Sequence, residues 1–252
     1  MELQSKPKAG SAHSAPAFSL EEARERMIVA LDVPNREAAL EMVRRLEGEA
    51  RWVKVGLELY LAAGRGVIDD LREAGLEVFL DLKLHDIPNT VAGAVRSVAG
   101  CGASLLTLHA SGGPTMLRAA VEAAAGLPVA PKLLAVTVLT SMNAADLAAT
   151  GVQVSAAEQV MRLGTMAVGA GVDGLVCSPE ETAALRGALP SALLVVPGIR
   201  NAEDTMGDQS RTASAAETLR RGASYLVIGR PITAATEPGA ALRGILDSVV
   251  SF

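Results

Sequence analysis

The sequence predicts an α/β protein that folds as a single (β/α)₈ TIM barrel. From Met27 to the C-terminus, short apolar runs rich in β-branched residues alternate with longer segments of helical period. Near-continuous apolar strands, each followed by a helix, are typical of a parallel sheet covered by helices. Eight such units in about 225 residues match a closed barrel better than an open sheet. A doubly wound sheet is the alternative, but ALDVPN (30–35) stands where its GxGxxG loop would be.

The predicted strands and helices carry recognisable boundaries. Asn35 is suited to cap a helix over 35–48, which Gly48 would end, and Gly171 would end a second helix over 156–171. The connections 140–155 and 198–215 are long, and long loops at the strand C-terminal ends of a barrel are candidate lids. The eight predicted strands are MIVALD (27–32), WVKVG (52–56), EVFLDLK (77–83), ASLLTLH (103–109), KLLAVTVL (132–139), VDGLVCS (172–178), ALLVVPG (192–198) and SYLVIGR (224–230).

Residues 1–26 are predicted to be a flexible N-terminal extension, and 27–252 the barrel domain. The Ala/Ser/Pro/Lys composition up to about residue 20 contains no continuous apolar core, so a signal peptide is not expected. No apolar run approaches the roughly 18 residues of a membrane span. Cys101 and Cys177 lie in apolar surroundings, as buried thiols of a reducing compartment do. A cytoplasmic protein without a membrane partner is therefore expected.

Composition and charge exclude further classes of function. The net charge of −5 and only six aromatic residues provide neither the basic surface nor the stacking platforms of a nucleic-acid-binding protein. The two cysteines lack CxxC spacing, and the three histidines lack carboxylate–histidine spacing. No metal site is therefore expected.

Charged residues at the ends of the first three strands indicate an active site. Asp32 ends the first strand, Lys54 lies in the second, and Asp81 and Lys83 end the third. Residues two apart on a strand point the same way, so Asp81 and Lys83 should face the barrel mouth together, next to Lys54. Such charges could simply be a buried salt-bridge network that stabilises the barrel. Because burying several charges is expensive, we favour a function in which Lys83 donates a proton beside the fixed charge of Asp81.

Two glycine-arginine motifs follow the seventh and eighth strands, VVPGIR (195–200) and VIGRPI (227–232). Barrels commonly bind phosphate at these two loops. Gly198 and Gly229 would let the backbone approach an anion, and Arg200 and Arg230 can donate charged hydrogen bonds to it. Pro231 suits the first turn of a helix. Together the motifs predict a phosphorylated substrate.

Three further segments stand beside the strand-end motifs already described: DLKLHDIPNT (81–90), VLTSM (138–142) and DQSR (208–211). With these motifs, the sequence from Met27 to the C-terminus resembles the bacterial orotidine 5′-phosphate decarboxylase family. The resemblance implies a homodimer of (β/α)₈ barrels that converts orotidine 5′-phosphate (OMP) to uridine 5′-phosphate (UMP) and CO₂, with neither cofactor nor metal. DxKxxDIPNT is the most specific of the shared motifs. The segments that carry the resemblance are ALDVPN (30–35), VKVG (53–56), DLKLHDIPNT (81–90), VLTSM (138–142), VVPGIR (195–200), DQSR (208–211) and VIGRPI (227–232).

The resemblance also implies roles for individual residues. Lys83 would donate the proton within an array that includes Lys54 and Asp81, and Asp86 would enter that array from the other subunit. The ribose would be contacted by Asp32, Lys54 and, across the dimer, Thr90. Thr140 would contact the pyrimidine, and the phosphate would be bound by Arg200, Gln209, Gly229 and Arg230. One departure is Ser210 in DQSR, where the family often has lysine.

Two other functions compete with this interpretation. A metal-dependent sugar-phosphate decarboxylase or aldolase-like lyase shares a DxKxxD element but needs another carboxylate near the second strand, for which Glu58 is the candidate. A catalytically silent barrel that serves as a nucleotide-binding scaffold is the second alternative. It has no use for buried charges, and the complete set of charged residues argues against it.

Overall fold

In the computed structural model, residues 18–199 and 213–251 are described. Within these ranges, eight parallel strands close into a barrel in sequence order. Pairing of Ile28 with Val227 joins the first strand to the last and completes the ring. The TIM-barrel fold predicted from the sequence is confirmed. The strands are β1 (Met27–Ala30), β2 (Trp52–Gly56), β3 (Glu77–Leu84), β4 (Leu105–His109), β5 (Lys132–Val136), β6 (Gly174–Val176), β7 (Leu193–Pro197) and β8 (Tyr225–Ile228).

Helices cover the outside of this barrel, and several begin and end where the sequence predicted. Asn35 accepts a hydrogen bond from the Ala38 N–H at 2.9 Å and caps the helix that follows β1. Gly48 and Gly171, which follow two helix ends, have φ of 76° and 101°, values that favour glycine. The helices are α1 (Leu20–Arg24), α2 (Arg36–Arg45), α3 (Leu57–Ala63), α4 (Gly66–Glu73), α5 (Pro88–Ala99), α6 (Gly113–Ala125), α7 (Ala144–Ala149), α8 (Ala156–Gly169), α9 (Thr182–Ala188), α10 (Ala215–Arg220), α11 (Arg230–Thr233) and α12 (Pro238–Val250).

Two segments differ from the sequence prediction. The connection 140–155 contains α7, which Asn143 caps by accepting hydrogen bonds from the N–H groups of Ala145 and Asp146. The predicted extension 1–26 contains α1, capped by Ser19, with Ala23 fully buried. The assignment of a flexible extension is therefore wrong for residues 20–24, because Ser19 and Glu22 form a capping box there. Residues 1–17 lie outside the described ranges.

The barrel has two hydrophobic cores, and their separation decides which residues reach the C-terminal mouth of the barrel. Alternate strand residues such as Val29, Val53 and Leu80 pack outward against the helices. The intervening residues fill the barrel interior, among them Ile28, Trp52, Phe79, Leu105 and Val227. Each strand therefore presents an interior column of side chains, and its last members lie at the C-terminal mouth.

Candidate active site

The interior columns become polar at the C-terminal ends of the first four strands. Trp52 is followed in the column by Lys54, Phe79 by Asp81, and Leu105 by Thr107. Lys54 and Asp81 are each 9% exposed, and Thr107 is fully buried. The period-two pattern thus carries polar side chains from an apolar barrel floor to the mouth.

Asp32, Lys54, Asp81 and Lys83 form a contiguous charge array, as the sequence predicted. Lys54 Nζ lies 2.9 Å from Asp32 Oδ1 and 3.8 Å from Asp81 Oδ2. Lys83 Nζ donates to the same Asp81 Oδ2 at 2.8 Å. Charges of opposite sign alternate along the array, so each ion has a counter-charge that offsets part of its desolvation cost.

Gly56, the next interior position of β2 after Lys54, makes room for this array. A Cβ at this position would lie 3.0 Å from Lys54 Nζ and 3.5 Å from Asp32 Oδ1. A side chain here would press on the ammonium group that bridges the two aspartates. The sequence analysis noted VKVG as a motif but assigned no role to its glycine.

The backbone of Lys83 adopts an unusual conformation. Its φ is 50°, in the left-handed region, where a non-glycine residue is strained by about 1–2 kcal/mol. The pairing of β3 with β4 also shifts register between Leu80 and Leu84. The irregularity lets the chain aim Lys83 inward beside Asp81, as β-bulges near active sites commonly do.

Thr107 is a site residue that the sequence analysis missed. Its hydroxyl donates to Asp81 Oδ1 at 2.8 Å and accepts a hydrogen bond from the backbone N–H of Lys83 at 2.9 Å. The available signal was its place in the interior column of β4, two residues before His109. A threonine in an apolar strand is too common to be singled out from sequence alone.

The array opens into a cavity of about 290 Å³ at the C-terminal mouth. Asp32, Lys54, Asp81 and Lys83 line one part of it, and Thr140 lines another. The cavity is near the lower end of the size range for small-molecule sites. Its apolar lining includes Ala30, Phe79, Val136, Val138, Val176, Pro197 and Val227.

Glycines and an arginine from the ends of β7 and β8 complete the lining. Gly198 has φ of 83°, a value that favours glycine, and Gly229 immediately precedes α11. Arg230 and Pro231 begin that short helix, and all four residues line the cavity. Because β8 pairs with β1, Gly229 lies beside Asp32: a Cβ on this glycine would be 3.8 Å from Asp32 Oδ2.

Two of the described site residues that the sequence predicted do not line this cavity. Asp86 and Thr90 are exposed and do not line the cavity of their own chain. Asp86 Oδ1 accepts the N–H of Ile87 at 2.6 Å. Arg200 and Gln209 lie outside the described residues.

Two histidines lie next to the array. The rings of His85 and His109 are 5.4 Å apart between centroids. Burial lowers the pKa of His109, and the neighbouring charges of His85 and Lys83 lower it further, against a smaller opposing effect of Asp81. The His109 imidazole is therefore neutral at pH 7 and does not add a positive charge beside Lys83.

Among residues 18–199 and 213–251, no group of three or more His, Cys, Asp or Glu side chains is arranged to hold a metal ion. Glu58, the candidate metal ligand of the alternative lyase, is exposed in the first turn of α3 and does not line the cavity. The carboxylate that this alternative requires is therefore not at the mouth.

Comparison with known proteins identifies the family. A family model described as "Orotidine 5′-phosphate decarboxylase / HUMPS family" matches residues 25–245. The chain belongs to this family. It is 50% identical over 222 residues to an orotidine 5′-phosphate decarboxylase of Anaeromyxobacter sp. (strain K), covering 88% of this chain and 96% of that protein. An orotidine 5′-phosphate decarboxylase of Opitutus terrae is 49% identical over 226 residues, which cover 89% of this chain and 98% of that protein.

Solved structures agree with this family assignment. The crystal structure of orotidine 5′-phosphate decarboxylase from Lactobacillus acidophilus superposes with a TM-score of 0.79 at 38% identity, covering 90% of this chain and all of that one. A structure of an uncharacterized conserved protein from Geobacillus kaustophilus has a TM-score of 0.77 at 36% identity, covering 89% and 99% of the two chains. The family resemblance found in the sequence motifs is confirmed.

No helix in the described part of the chain is long and apolar enough to cross a membrane.

Proposed function

We propose that this protein converts OMP to UMP and CO₂, and that Lys83 protonates the carbon from which CO₂ departs. Family membership supports the reaction. The observation that carries the proposal is the Lys83 ammonium, 2.8 Å from Asp81 Oδ2 at the mouth of the cavity. A fixed cation beside a fixed anion is suited to a reaction in which one carboxylate leaves and a carbanion forms.

The chemistry requires such a cation. The bond between C6 of the pyrimidine and its carboxylate breaks, and the electron pair stays on C6, which has no adjacent carbonyl group to delocalise it. The ammonium of Lys83 stabilises this charge as it develops and then gives its proton to C6. The neutral amine that remains recovers a proton from water.

Asp81 and Lys54 prepare the site for that step. Asp81 keeps the Lys83 ammonium in place and also puts negative charge near the departing carboxylate. Lys54 bridges Asp81 to Asp32, and both Lys54 and Asp32 are assigned to the ribose hydroxyls.

The opposite part of the cavity is assigned to the rest of the nucleotide. Gly229 and Arg230 would hold the phosphate together with Arg200 and Gln209, and Thr140 would contact the pyrimidine. Arg230 and Thr140 line the cavity, which supports their share of this assignment. Phosphate binding far from C6 supplies binding energy that can be used at the reacting carbon.

The active site is proposed to be shared between two subunits. Asp86 and Thr90 are exposed on the segment after β3 and on α5, and Ile87 between them is 67% exposed. An exposed apolar residue flanked by polar groups is typical of a protein interface. In a two-fold dimer, each subunit would give Asp86 and Thr90 to the mouth of the other.

The reaction as proposed uses protein groups alone and takes place in the cytoplasm. The proton and the cations come from lysine side chains, so no step calls on a metal or cofactor. Cys101 and Cys177 are buried, reduced cysteines, which accords with a reducing compartment.

A direct assay tests the reaction and its metal independence together. Purified protein is incubated with OMP in the presence and absence of EDTA, and the change in pyrimidine absorbance is followed. We expect equal conversion to UMP under both conditions. Absence of conversion would overturn the proposed reaction, and activity that EDTA removes and Mg²⁺ restores would favour the metal-dependent alternative. Glu58→Gln is a matched control, because only that alternative requires this carboxylate.

A further inference from the structure

Thr107 stands out because it is polar, fully buried and outside the cavity lining. It lies in the interior column of β4, one position above Leu105, which packs in the apolar barrel interior. Burying an unpaired hydroxyl in such a place is costly, whereas a hydroxyl with both partners satisfied fixes the groups that it joins.

The Thr107 hydroxyl has one proton to donate and two lone pairs. The proton is directed to Asp81 Oδ1, and a lone pair receives the backbone N–H of Lys83. Because Oδ1 of Asp81 is held in this way, Oδ2 is turned toward the two lysine ammonium groups at 2.8 and 3.8 Å. One hydroxyl therefore contacts both the carboxylate and the backbone of its lysine partner.

The Lys83 backbone needs such a contact. Its left-handed φ is unfavourable for lysine, and the β3–β4 register is irregular around it. A strained conformation of this kind persists only where the surroundings hold it. The Thr107 side chain supplies a hydrogen-bond acceptor for the Lys83 N–H at the irregular point of the ladder.

We propose that Thr107 is a positioning residue for the decarboxylation, holding the Asp81 carboxylate and the strained Lys83 backbone in the arrangement that aims the ammonium group. The inference rests on the proposed function of Lys83 and adds a residue that does not touch the substrate. Its action is confined to the reacting end of the site, because its described contacts are with Asp81 and Lys83 and not with the phosphate end.

Three substitutions separate this role from simple packing. Thr107→Val keeps the shape but removes the hydroxyl, leaving Asp81 Oδ1 and the Lys83 N–H without this partner. Thr107→Ser keeps the hydroxyl and removes a methyl group. Thr107→Cys replaces the oxygen with sulfur, a weak donor and acceptor. Thr218→Val is the matched control. Thr218, on α10, is also fully buried, but its hydroxyl donates a hydrogen bond to the Ser214 carbonyl at 2.8 Å.

For Thr107→Val we expect kcat to fall by about 10²-fold, the order of loss that a misplacement of about 1 Å causes. The affinity for UMP, measured by calorimetry, should change little because ribose and phosphate contacts are untouched. Thr107→Ser should restore most of kcat, and Thr218→Val should lower thermal stability without lowering kcat. If Thr107→Val does not fold, the comparison of Thr107→Cys with Thr107→Ser carries the test, and we expect the cysteine variant to be slower.

The inference is overturned if Thr107→Val retains as much kcat as Thr218→Val, or if the serine variant is as slow as the valine variant. A crystal structure of Thr107→Val gives a readout that does not depend on the reaction. We expect the contact between Lys83 Nζ and Asp81 Oδ2 to lengthen and the Lys83 φ to leave the left-handed region; an unchanged array would overturn the positioning role. If wild-type protein fails to convert OMP while this structure shows the expected shift, the proposed function fails, and Thr107 is still shown to hold the Asp81 carboxylate and the Lys83 backbone in place.

Discussion

The side chain of Lys83 reaches the cavity, while the backbone of the same residue is conformationally constrained. Its side chain is 31% exposed at the cavity, its ammonium group is paired with Asp81, and its backbone is held in a left-handed conformation. Lys54 Nζ still faces Asp81 Oδ2 at 3.8 Å when the Lys83 ammonium group is removed, so the barrel should persist, whereas the proposed proton transfer depends on Lys83 completely. Activity and stability should therefore respond very differently when this residue is changed.

Lys83→Ala should abolish decarboxylation while leaving the fold nearly intact. In the proposed mechanism, the substitution removes both the cation that stabilises the carbanion and the proton that neutralises it. The measurements are kcat with OMP and the melting temperature. Lys132→Ala is the control, because Lys132 forms a similar ion pair with Asp173 at 2.9 Å, at the start of β5 and away from the cavity. A Lys83→Ala variant that retained a tenth of kcat, a loss of only about 1.4 kcal/mol, would show that the assigned role is wrong.

Arg230→Ala should weaken the binding of UMP far more than the binding of uridine. Arg230 lines the cavity directly after Gly229 and is assigned to the phosphate, which uridine lacks. Loss of a charge-assisted hydrogen bond at a partly exposed site should cost about 1.5–3 kcal/mol. Calorimetric titration with both ligands measures the difference, and Arg44→Ala on α2, a guanidinium paired only on the surface, is the control. Equal losses for nucleotide and nucleoside would remove Arg230 from the phosphate site.

At the scale of elements, strand periodicity explains why much of the site could be predicted. Asp32, Lys54, Asp81 and Lys83 follow apolar strand segments, and parallel strands in a barrel all end at the same mouth. A period of two then decides which side chains face inward. These rules require no knowledge of distances, so the four charged residues and the barrel itself were accessible from the sequence.

Other features could not be predicted, because they depend on how elements meet. The left-handed φ of Lys83 arises where β3 and β4 lose register, and Thr107 acquires its role only through that irregular pairing. The short helix α7 was missed because its six residues give too brief a periodic pattern, although Asn143 and Asp146 form a capping box at its start. Local sequence rules are weakest where tertiary contacts decide the conformation.

Glu49 links three elements at the other end of the barrel. Its carboxylate, 15% exposed, accepts a hydrogen bond from Arg24 of α1 at 2.6 Å and another from Arg243 of α12. The hydrogen bond from Arg243 lowers the pKa of Glu49 most strongly; burial opposes this shift, and Arg24 adds to it. A carboxylate whose pKa is lower in the folded than in the unfolded state stabilises the fold above the unfolded value of about 4.3. This stabilisation is lost as the pH falls through the folded value.

Glu49→Gln should therefore destabilise the protein by about 1–2 kcal/mol at pH 7, and by progressively less as the pH falls below about 4. Chemical unfolding of wild type and variant across this range measures the difference. Glu41→Gln is the control, because Glu41 is 55% exposed and pairs only with Arg44 on the surface of α2, where a salt bridge contributes little. A stability difference that stays constant from pH 7 to pH 3 would contradict the ionic role of Glu49.

A single barrel places Lys83 at its own cavity but does not place there every residue assigned to the active site. Asp86 follows Lys83 by three residues, yet it is exposed and lies outside the cavity lining of its own chain. The exposed Ile87 beside it offers apolar surface that a second copy would cover. If two copies exchange Asp86 about a two-fold axis, the functional unit is the dimer, and each site needs Lys83 and Asp86 from different chains.

Mixed dimers test this arrangement directly. Lys83→Ala and Asp86→Asn homodimers should each be strongly impaired, because every site in them lacks one group. In a hybrid of the two, one site carries both lesions and the other carries neither. Random mixing makes about half of the dimers hybrid with one intact site each, so about a quarter of wild-type activity should return. The two variants are unfolded together, refolded and assayed against separately refolded controls, and sedimentation with mass spectrometry establishes that hybrids have formed. Hybrid dimers with no activity beyond the sum of the controls would place Asp86 in the site of its own subunit.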